Sequence, residues 1–525
     1  MELNEDITAG SHLSVWTASV KPIRYSTLEK SEKTDVVIVG GGIAGVTTAY
    51  NLSLQGKKVI LLEDGFIGSG ESGRTTAHVV TCLDDRYYNL EHLHGTDGAK
   101  MAAESHAAAI EFVESAVERE KINCDFSRLA GYLFRHPSDD KDVLKKEYDA
   151  AIRAGVKVER LEETPGIRGE GECLYFHGQA QFHILKYLKG LCEAIISRGG
   201  KIYTQTHADK IDANGVTTDR GYRVDAEHIV VATNSPVNDL RKIHTKQTAY
   251  RTYVIGAKIK KGSVLPALWW DTGDFEADSR YPPYHYVRTQ RLSDTHDVLI
   301  VGGEDHPTGI KTEITEEERY HHLELWTKER FDTEGIIYRW SGQVLETMDS
   351  LAFIGRNPGD ADNIYIITGD SGNGMTHATI GAMMITNMIL GVPDRWEKLY
   401  DPSRSRILKT VGQYVHDGFA AVKKFLKDRP QDDKVSAISK IKKGDAEVLQ
   451  LKGEKYGIHR DDNGSLHIVS AVCTHLQCTV RWNGGEKTWD CPCHGSRFSY
   501  EGKVMNGPAN ADLAYHLSGK EDEKE

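Results

Sequence analysis

Apolar residues near the N-terminal end of the chain follow a strand–helix–strand pattern. Val36 to Val39 form an uninterrupted apolar run that ends at a group of glycines. Val46 to Leu54 has the spacing of a helix, and Val59 to Leu62 forms a second apolar run. Short apolar runs bounded by turn residues are typical of buried strands. The pattern therefore predicts a β–α–β unit between residues 34 and 64.

The rest of the chain alternates between helical and strand patterns until its composition changes near residue 430. Helices are predicted near 98–119 and 139–155, a helix leading into a strand at 179–202, and a buried strand at 228–236. Alternating strands follow a segment rich in Tyr, Trp and His. After Asp401 a helical pattern leads to the polar segment PQDDK, which predicts a linker. Beyond it, the turn signals DDNG, NGG and NGP separate short strands, which predicts a small all-β domain.

Composition limits the possible partners and the compartment. The chain has 525 residues, 39% of them hydrophobic and 27% charged, which is ordinary for a folded protein of several domains. Its net charge of −12 argues against nucleic acid and anionic membranes as partners. No apolar run approaches the ~20 residues of a membrane-spanning helix. The acidic first residues, MELNED, are unlike a secretory signal, so we expect a cytoplasmic protein without a membrane span.

The glycines after the first strand have the spacing of a dinucleotide-binding turn. Gly40, Gly42 and Gly45 form GxGxxG between a strand and a helix, and Glu63 ends the second strand. Such glycines let the backbone approach a pyrophosphate at a helix N-terminus, and the acidic residue can accept hydrogen bonds from ribose. The segment GSGESG at 68–73 has the same spacing without a preceding strand, and we interpret it as a turn.

Half of the eight cysteines lie in one short segment near the C-terminus. Residues 473–496 read CTHLQCTVRWNGGEKTWDCPCHGS and contain four cysteines and two histidines. A disulfide cluster, a structural zinc site and an iron–sulfur centre are the three candidate interpretations. In the cytosol, clustered Cys and His indicate metal or redox chemistry more often than structural disulfides. The spacing C-x-H-x-x-C with C-x-C-H fits no common zinc module well.

Several ordered motifs resemble the D-amino-acid-oxidase superfamily of FAD enzymes, which includes glycine, sarcosine and γ-glutamylputrescine oxidases. They are the β–α–β unit, GSGESGRTTAH (68–78), WSGQVLETMDSLAFIG (340–355) and ITGDSGNGMTHATIGA (367–382). The resemblance implies bound FAD and places residues 228–234 at the second adenine-side strand. The residues that it implies for FAD contact are Gly40, Gly42, Ile43, Ala44, Gly45, Glu63, Ser72, Gly73, Arg74, Thr75, Thr76, Gly372, Gly374 and Met375.

The departures from this family bear on the substrate. Glycine-oxidase-like members carry an arginine that grips a substrate carboxylate, and the matching position here is Val344. We therefore expect an amine or N-methylated amine rather than a simple α-amino acid, unless Arg288 replaces the missing guanidinium. The covalent His of some relatives aligns with Thr75 and not with His78, so we expect non-covalent FAD. No acid or base can be named, and the further pocket candidates are Trp269, Trp270, Tyr284 and Tyr286.

The C-terminal motifs CTHLQC and CPCHGS resemble the Rieske [2Fe-2S] proteins of cytochrome bc complexes. The resemblance implies that Cys473 and Cys491 hold one iron of the cluster and His475 and His494 the other. It also implies a disulfide between Cys478 and Cys493. Ser496 matches a residue that raises the cluster potential, whereas Phe498 stands where high-potential members have Tyr. Gly507 and Pro508 resemble the loop that covers the cluster.

Together these motifs predict a multidomain α/β plus β fold. We expect a Rossmann-like FAD-binding domain with an inserted antiparallel-sheet substrate domain, followed by a small all-β Rieske domain. The predicted segments are a lead-in (1–33), the FAD domain (34–84, 178–244 and 339–400), the substrate domain (85–177 and 245–338), a helical linker (401–434) and the Rieske domain (435–525).

The combined domains predict an FAD-dependent amine dehydrogenase that passes electrons through the cluster to an external acceptor, either O₂ or an electron-transfer protein. The alternatives are a monooxygenase or oxidase whose cluster feeds electrons in or is structural, and a non-catalytic redox sensor or carrier. A ring-hydroxylating oxygenase needs a mononuclear iron site. His321, His322 and Glu324 form no convincing one and are predicted on a solvated helix. No second dinucleotide fingerprint indicates an NAD(P)H-dependent reductase.

Overall fold

The protein is described by a computed structural model that covers residues 10, 12–238, 243–277, 282–310, 312–404 and 435–520. The predicted helical linker falls almost entirely outside these described residues. The helices are α1 (Val15–Ser19), α2 (Ile43–Leu54), α3 (Tyr87–Glu120), α4 (Val143–Arg153), α5 (Ile184–Ser197), α6 (Glu316–Arg330), α7 (Gly374–Leu390) and α8 (Glu397–Tyr400). Short 3₁₀ helices lie at Glu71–Gly73, His244–Lys246 and Val435–Lys440.

Strands make up four sheets. In chain order they are β1 (Glu32–Val39), β2 (Val59–Leu62), β3 (His78–Val79), β4 (Ser127–Phe134), β5 (Val158–Leu161), β6 (Cys173–Gln181), β7 (Lys201–Tyr203), β8 (Ala208–Asp212), β9 (Gly215–Thr218), β10 (Arg223–Val231), β11 (Gln247–Lys260), β12 (Ala267–Asp271), β13 (Tyr286–Arg291), β14 (His296–Pro307), β15 (Gly335–Thr347), β16 (Phe353–Arg356), β17 (Ile364–Thr368), β18 (Ala446–Leu451), β19 (Glu454–Arg460), β20 (Ser465–Ser470), β21 (Arg481–Asn483), β22 (Thr488–Asp490), β23 (Arg497–Ser499), β24 (Val504–Asn506) and β25 (Tyr515–Lys520).

The first sheet confirms the predicted β–α–β unit. Its order is β16-β17-β10-β1-β2-β7, with the β8–β9 hairpin attached to β10, and the strands from β17 to β7 run parallel. Residues 36–39 are all buried because the sheet has a hydrophobic core on each face. A parallel strand covered on both faces needs such a continuous apolar run. Helix α2, at the end of β1, packs against α7 and α5.

The second sheet is mainly antiparallel, as predicted for the substrate domain. Its order is β15-β11-β14-β13-β12-β4-β6-β3, with β5 beside β6. Within the described part of this sheet, β12 and β4 are the only parallel pair. The sheet includes β3 and the whole of β15, so it extends to Thr347, beyond the expected boundary at residue 338. The start of β11 and the end of β15 lie beside the end of β17, where Thr368 Oγ1 donates to Gln247 Oε1 at 3.3 Å and Ser371 N donates to Leu345 O at 3.1 Å.

Two small four-stranded sheets form the C-terminal domain. One has the order β18-β19-β20-β25 and the other β21-β22-β23-β24, and all their pairings are antiparallel. One buried apolar cluster contains residues of both sheets, among them Val469, Trp489 and Phe498, and a smaller cluster contains Leu449, Ile458 and Leu466 of the first. Among the described residues, no helix has both the length and the apolar content to cross a bilayer.

Candidate functional site

The glycine turn after β1 brings strand, turn and helix into close contact. Gly40 has φ of +110°, and a Cβ there would lie 2.4 Å from the carbonyl oxygen of Ala232. A Cβ on Gly45 would lie 1.9 Å from the Gly40 carbonyl oxygen, so helix α2 packs tightly on the strand. Gly42 precedes α2, and its Cβ would meet only Ser72, with Oγ at 2.9 Å. The turn therefore leaves open backbone at the helix N-terminus, and this suits a pyrophosphate.

Glu63 is held against this turn at the end of β2. Its Oε2 accepts a hydrogen bond from Gly41 N at 2.5 Å and its Oε1 one from Gly65 N at 2.8 Å. Burial raises the pKa of the Glu63 carboxyl to about 7. Ser72 Oγ accepts from Ile43 N at 2.9 Å, which ties the second glycine-rich segment to the start of α2. That segment is a packed part of the site and not an independent turn.

One cavity of about 600 Å³ extends from the glycine turn to the second sheet. Most of the residues expected to contact FAD line it, which fits a dinucleotide of that size. Gly45 and Gly73 do not; each packs against backbone instead, Gly73 with a Cβ position 2.3 Å from the Gly68 carbonyl oxygen. The lining members are Gly40, Gly42, Ile43, Ala44, Glu63, Ser72, Arg74, Thr75, Thr76, Gly372, Gly374 and Met375.

Three of the aromatic pocket candidates line the same cavity. Trp270 and Tyr286 are almost completely buried in its wall. The Tyr284 hydroxyl donates to Asp84 Oδ2 at 2.6 Å, and the hydroxyls of Tyr286 and Thr252 are hydrogen-bonded at 2.6 Å. These rings give the end of the cavity formed by the second sheet an apolar wall with fixed hydroxyl groups.

The structure places the other two pocket candidates elsewhere. Trp269 faces the opposite side of the second sheet, in a separate hydrophobic core, and its Nε1 donates to Pro165 O at 2.8 Å. Arg288 is fully buried and donates to the carbonyl oxygens of Thr76, Ala77 and Phe182 at 2.9–3.2 Å. Its guanidinium also donates to Gln290 Oε1 at 2.6 Å, and burial lowers its pKa to about 9. It does not replace the arginine missing at Val344.

Sequence reasoning missed a group of carboxylates in this cavity. Its members are Asp84, Asp85, Asp305, Glu346 and Asp370. Burial raises the pKa of Asp84 and Asp370 to about 6 and that of Asp85 and Asp305 to about 7. For Glu346, burial and then the charge of Asp85 raise the pKa well above its usual range. The adjacent pair Asp84–Asp85, placed just after the Gly68–His78 motif, was the visible signal in the sequence.

These carboxylates have little compensating positive charge. None of the five is in an ion pair within the described part of the chain. Arg86 also lines the cavity, but its guanidinium donates to the carbonyl oxygens of Leu83 and Asp271. Oδ1 of Asp305 is buried and has no hydrogen-bond partner in the described chain. The part of the cavity that these carboxylates line therefore favours a cationic ligand, in contrast to the glycine turn.

The four cysteines and two histidines of the 473–496 segment lie on two loops, one after β20 and one after β22. Cys478 and Cys493 form a disulfide that joins the loops, and the Cys491 sulfur lies within 4.8 Å of both disulfide sulfurs. The thiols of Cys473 and Cys491 are in hydrogen-bond contact, and chiefly for this reason the pKa of Cys473 falls to about 7. The two remaining thiols thus meet between the loops.

The two imidazoles fit a metal-binding role. The rings of His475 and His494 lie 5.0 Å apart. Nδ1 of His494 is buried and has no hydrogen-bond partner among the described residues. Burial and then the charge of His475 lower the pKa of His494 to about 4, so its ring is neutral near pH 7, as a metal-binding imidazole must be. The cluster would be held by Cys473, His475, Cys491 and His494. Next to this site, Ser496 Oγ accepts a hydrogen bond from Ala509 N, which follows Gly507 and Pro508.

The imidazole side of this site faces the first domain. His244 is 2% exposed and lies in edge-on contact with His475 and His494, at ring-centre distances of 5.0 and 6.0 Å. Its Nε2 donates to Pro236 O at 3.1 Å, which fixes the ring. The Gln343 side chain, from the cavity wall, donates to Gly495 O at 3.1 Å. The cluster loops and the cofactor cavity are therefore in direct contact.

Comparison with known proteins agrees with both halves of this site. Residues 35–388 match the family model described as FAD dependent oxidoreductase (DAO), and residues 432–516 match the Rieske [2Fe-2S] domain. The chain is 29% identical over 501 residues to the Putative Rieske 2Fe-2S iron-sulfur protein YhfW of Bacillus subtilis, covering 94% of this chain and 95% of that protein.

Two further relatives resemble the first domains. The Gamma-glutamylputrescine oxidoreductase of Escherichia coli is 26% identical over 384 residues, covering 71% of this chain and 87% of that protein. The glycine oxidase structure from Geobacillus kaustophilus superposes with a TM-score of 0.56 at 18% identity, covering 71% of this chain and 100% of that one. At that identity the superposition supports the fold alone.

Proposed function

Because the chain belongs to the FAD dependent oxidoreductase (DAO) family and ends in a Rieske [2Fe-2S] domain, we propose that it is an amine dehydrogenase. Its substrate is a small amine or N-methylated amine that loses two electrons at a C–N bond. The electrons pass from FAD to the cluster and then to an external acceptor. FAD, when bound, supplies two-electron chemistry, and the cluster supplies one-electron transfer.

The acid-lined cavity is the observation that carries this proposal. An α-amino acid needs a cationic partner for its carboxylate, but the position that supplies it in glycine-oxidase-like enzymes is Val344, and Arg288 is buried elsewhere. The cavity instead presents carboxylates beside Trp270, Tyr284 and Tyr286. Carboxylates attract a cation and aromatic faces accept one, so both favour an amine. The relative named for gamma-glutamylputrescine is consistent with an amine substrate.

The carboxylates can also accept a proton from the bound amine. A C–N bond is oxidised from the neutral amine, so an ammonium group must lose a proton after it binds. Asp84 and Asp305 have pKa values raised by burial to about 6 and about 7, which suits a proton acceptor near neutral pH. The Tyr284 hydroxyl bond to Asp84 Oδ2 holds that carboxylate in place. The buried rings of Trp270 and Tyr286 line the same end of the cavity.

The position of the C-terminal domain supports an electron path inside one chain. The imidazoles that would hold the cluster touch His244 of the first domain, and the Gln343 side chain links the cavity wall to the second cluster loop. Contact at this range removes the need for the two redox domains to find each other by diffusion. A sensor or a structural cluster would need no such contact between redox sites.

Anaerobic mixing with a panel of amines tests the substrate. The panel should include mono- and diamines, N-methylated amines and, as comparators, glycine and sarcosine. We expect flavin bleaching with cationic amines and none with the amino acids at equal concentration. Bleaching by glycine alone would contradict the proposal. With the best substrate, dye reduction that exceeds O₂ uptake identifies a dehydrogenase, whereas the reverse identifies an oxidase.

A further inference from the structure

The cofactor cavity has a wall that comes from the C-terminal domain. The segment from β24 to Asn510, here called the covering segment (residues 504–510), lines the same cavity as the glycine turn and Glu63. Its lining members are Val504, Met505, Asn506, Gly507, Ala509 and Asn510. A domain that only carried electrons would need to approach the cofactor site, but not to form part of its wall.

Two hydrogen bonds hold the covering segment across the cavity. Asn506 Nδ2 donates to Glu71 Oε1 at 2.7 Å, on the flavin-side segment. Asn510 Nδ2 donates to the carbonyl oxygen of Asp209 at 3.3 Å, on the adenine side. Between them, Gly507 lies beside the turn after β10, where an added Cβ would be 3.5 Å from the Val237 side chain, an ordinary van der Waals distance. The segment thus spans the cavity from one side to the other.

A buried ion pair also joins another part of the C-terminal domain to the cofactor site. The Arg74 guanidinium donates to Glu486 Oε1 at 2.6 Å, and both side chains are at most 3% exposed. The same Glu486 oxygen accepts from the Ser341 hydroxyl at 2.5 Å. Arg74 lines the cofactor cavity, so the pair connects the cofactor site directly to the C-terminal domain.

We propose that the covering segment of the Rieske domain is part of the FAD site, and that FAD binding and docking of this domain stabilise each other. In the docked arrangement the segment adds polar amide and backbone groups to the wall of a cavity that suits a polar dinucleotide. A ligand that binds one arrangement more tightly shifts the population toward it, and the effect is reciprocal. FAD release then requires the domain to move away first.

This inference concerns cofactor retention and does not rest on the amine substrate. The test uses the full-length holoprotein and follows FAD release by the rise in flavin fluorescence after dilution. The variants are the double change Asn506→Ala with Asn510→Ala, and separately Glu486→Gln. The matched control is Asn463→Ala, an exposed asparagine in a turn of the same domain. The EPR signal of the reduced cluster reports whether the domain remains folded.

We expect FAD release at least tenfold faster in both test variants, with an unchanged EPR signal, and an unchanged rate in the control. Unchanged release in Glu486→Gln and in the double variant would overturn the proposal. Hydrogen exchange of the wild-type chain gives a second test that needs no variant. We expect residues 504–510 to exchange more slowly with FAD bound than after FAD removal. Equal exchange in the two forms would also overturn it.

Discussion

Gly42 is the residue at which a side chain would most directly oppose the cofactor. It precedes helix α2 at the open face of the glycine turn, where a Cβ would already lie 2.9 Å from Ser72 Oγ. Larger atoms on that Cβ would occupy the place where the backbone approaches a pyrophosphate. The C-terminal domain has its own buried cores and does not depend on this turn for its interior.

We therefore expect Gly42→Val to abolish FAD binding and to leave the Rieske cluster in place. The measurement is FAD released per chain on denaturation, together with the EPR signal of the reduced cluster. Gly171→Val is the matched control, since a Cβ at Gly171 meets no atom within 4 Å and its φ is not positive. Full FAD occupancy in Gly42→Val would show that the glycine turn is not the pyrophosphate site.

The cavity carboxylates predict how a cation binds as the pH changes. Burial raises the pKa of Asp84 to about 6 and of Asp305 to about 7, so both lose protons, and the cavity gains negative charge, as the pH rises through this range. The facing groups include Asp85, Glu346 and Arg86. A permanently charged quaternary ammonium inhibitor reports this change without titrating itself.

We expect the inhibition constant of such a compound to fall about tenfold between about pH 5.5 and about pH 8. Asp305→Asn should weaken binding at high pH and flatten the profile, while Asp219→Asn, at an exposed position, should change neither. A pH-independent inhibition constant in the unmodified protein would contradict a role for these carboxylates in binding.

At the scale of single residues, the sequence indicates the turn but not the carboxylate group. The glycines act through local backbone geometry, so their spacing can be recognised in the sequence. The carboxylates come from separate places: Asp84 follows β3, Asp305 lies in β14, Glu346 in β15 and Asp370 after β17. Their proximity is created by the packing of two sheets. Trp269 and Trp270 show the same limit, because neighbouring residues of β12 point to opposite faces.

At the scale of elements, the β–α–β unit and the small antiparallel domain could be predicted because both rest on short-range periodicity. The predicted solvated helix is also present as α6, with His321 and His322 exposed. Strand β15 could not be assigned from its pattern. It pairs with β11 along its whole length in the second sheet, and its C-terminal half also lines the cofactor cavity. This double role has no signal in local sequence.

Strand β23 offers a prediction about the cluster potential. Phe498 is fully buried there, opposite Trp489 of β22, beneath the cluster loops. Family members with Tyr at this position place a hydroxyl on a cysteine sulfur. We expect Phe498→Tyr to raise the cluster potential, because a hydrogen bond to sulfur stabilises the reduced, more negative cluster. A bond of about 1 kcal/mol corresponds to roughly 40 mV for one electron.

An EPR-monitored redox titration measures this shift. Phe498→Leu is the control, since it changes the packing at the same site without adding a hydroxyl group. A tyrosine variant with the potential of the unmodified protein, or a leucine variant with the same increase, would show that the hydroxyl does not reach the sulfur.

At the scale of the whole molecule, the two redox domains form one packed unit in the described structure. The Arg74–Glu486 pair joins residues 412 positions apart, and no local pattern encodes such a contact. The polar segment before the C-terminal domain indicates a separate domain but not where that domain docks. The docked arrangement puts the imidazoles of His475 and His494 against His244, and it determines the route that electrons would take.

If electrons leave through the cluster, loss of one cluster ligand must stop reduction of the external acceptor but not reduction of the flavin by substrate. We expect Cys473→Ser and His494→Ala to retain flavin bleaching by substrate, because their side chains lie outside the cofactor cavity. Reduction of ferricyanide or of a cytochrome should fall at least tenfold, because the one-electron exit is lost. Stopped-flow absorbance measures the first step and steady-state acceptor reduction the second.

His516→Ala is the matched control for His494→Ala, because His516 is an exposed histidine of the same domain. FAD content is measured in every variant, so that loss of cofactor is not mistaken for loss of the exit. The docking contacts of Arg74, Asn506 and Asn510 involve none of the ligand side chains, and FAD should therefore be retained. Normal acceptor reduction in a variant without a cluster would mean that electrons leave from the flavin directly. The oxidase alternative would then replace the dehydrogenase.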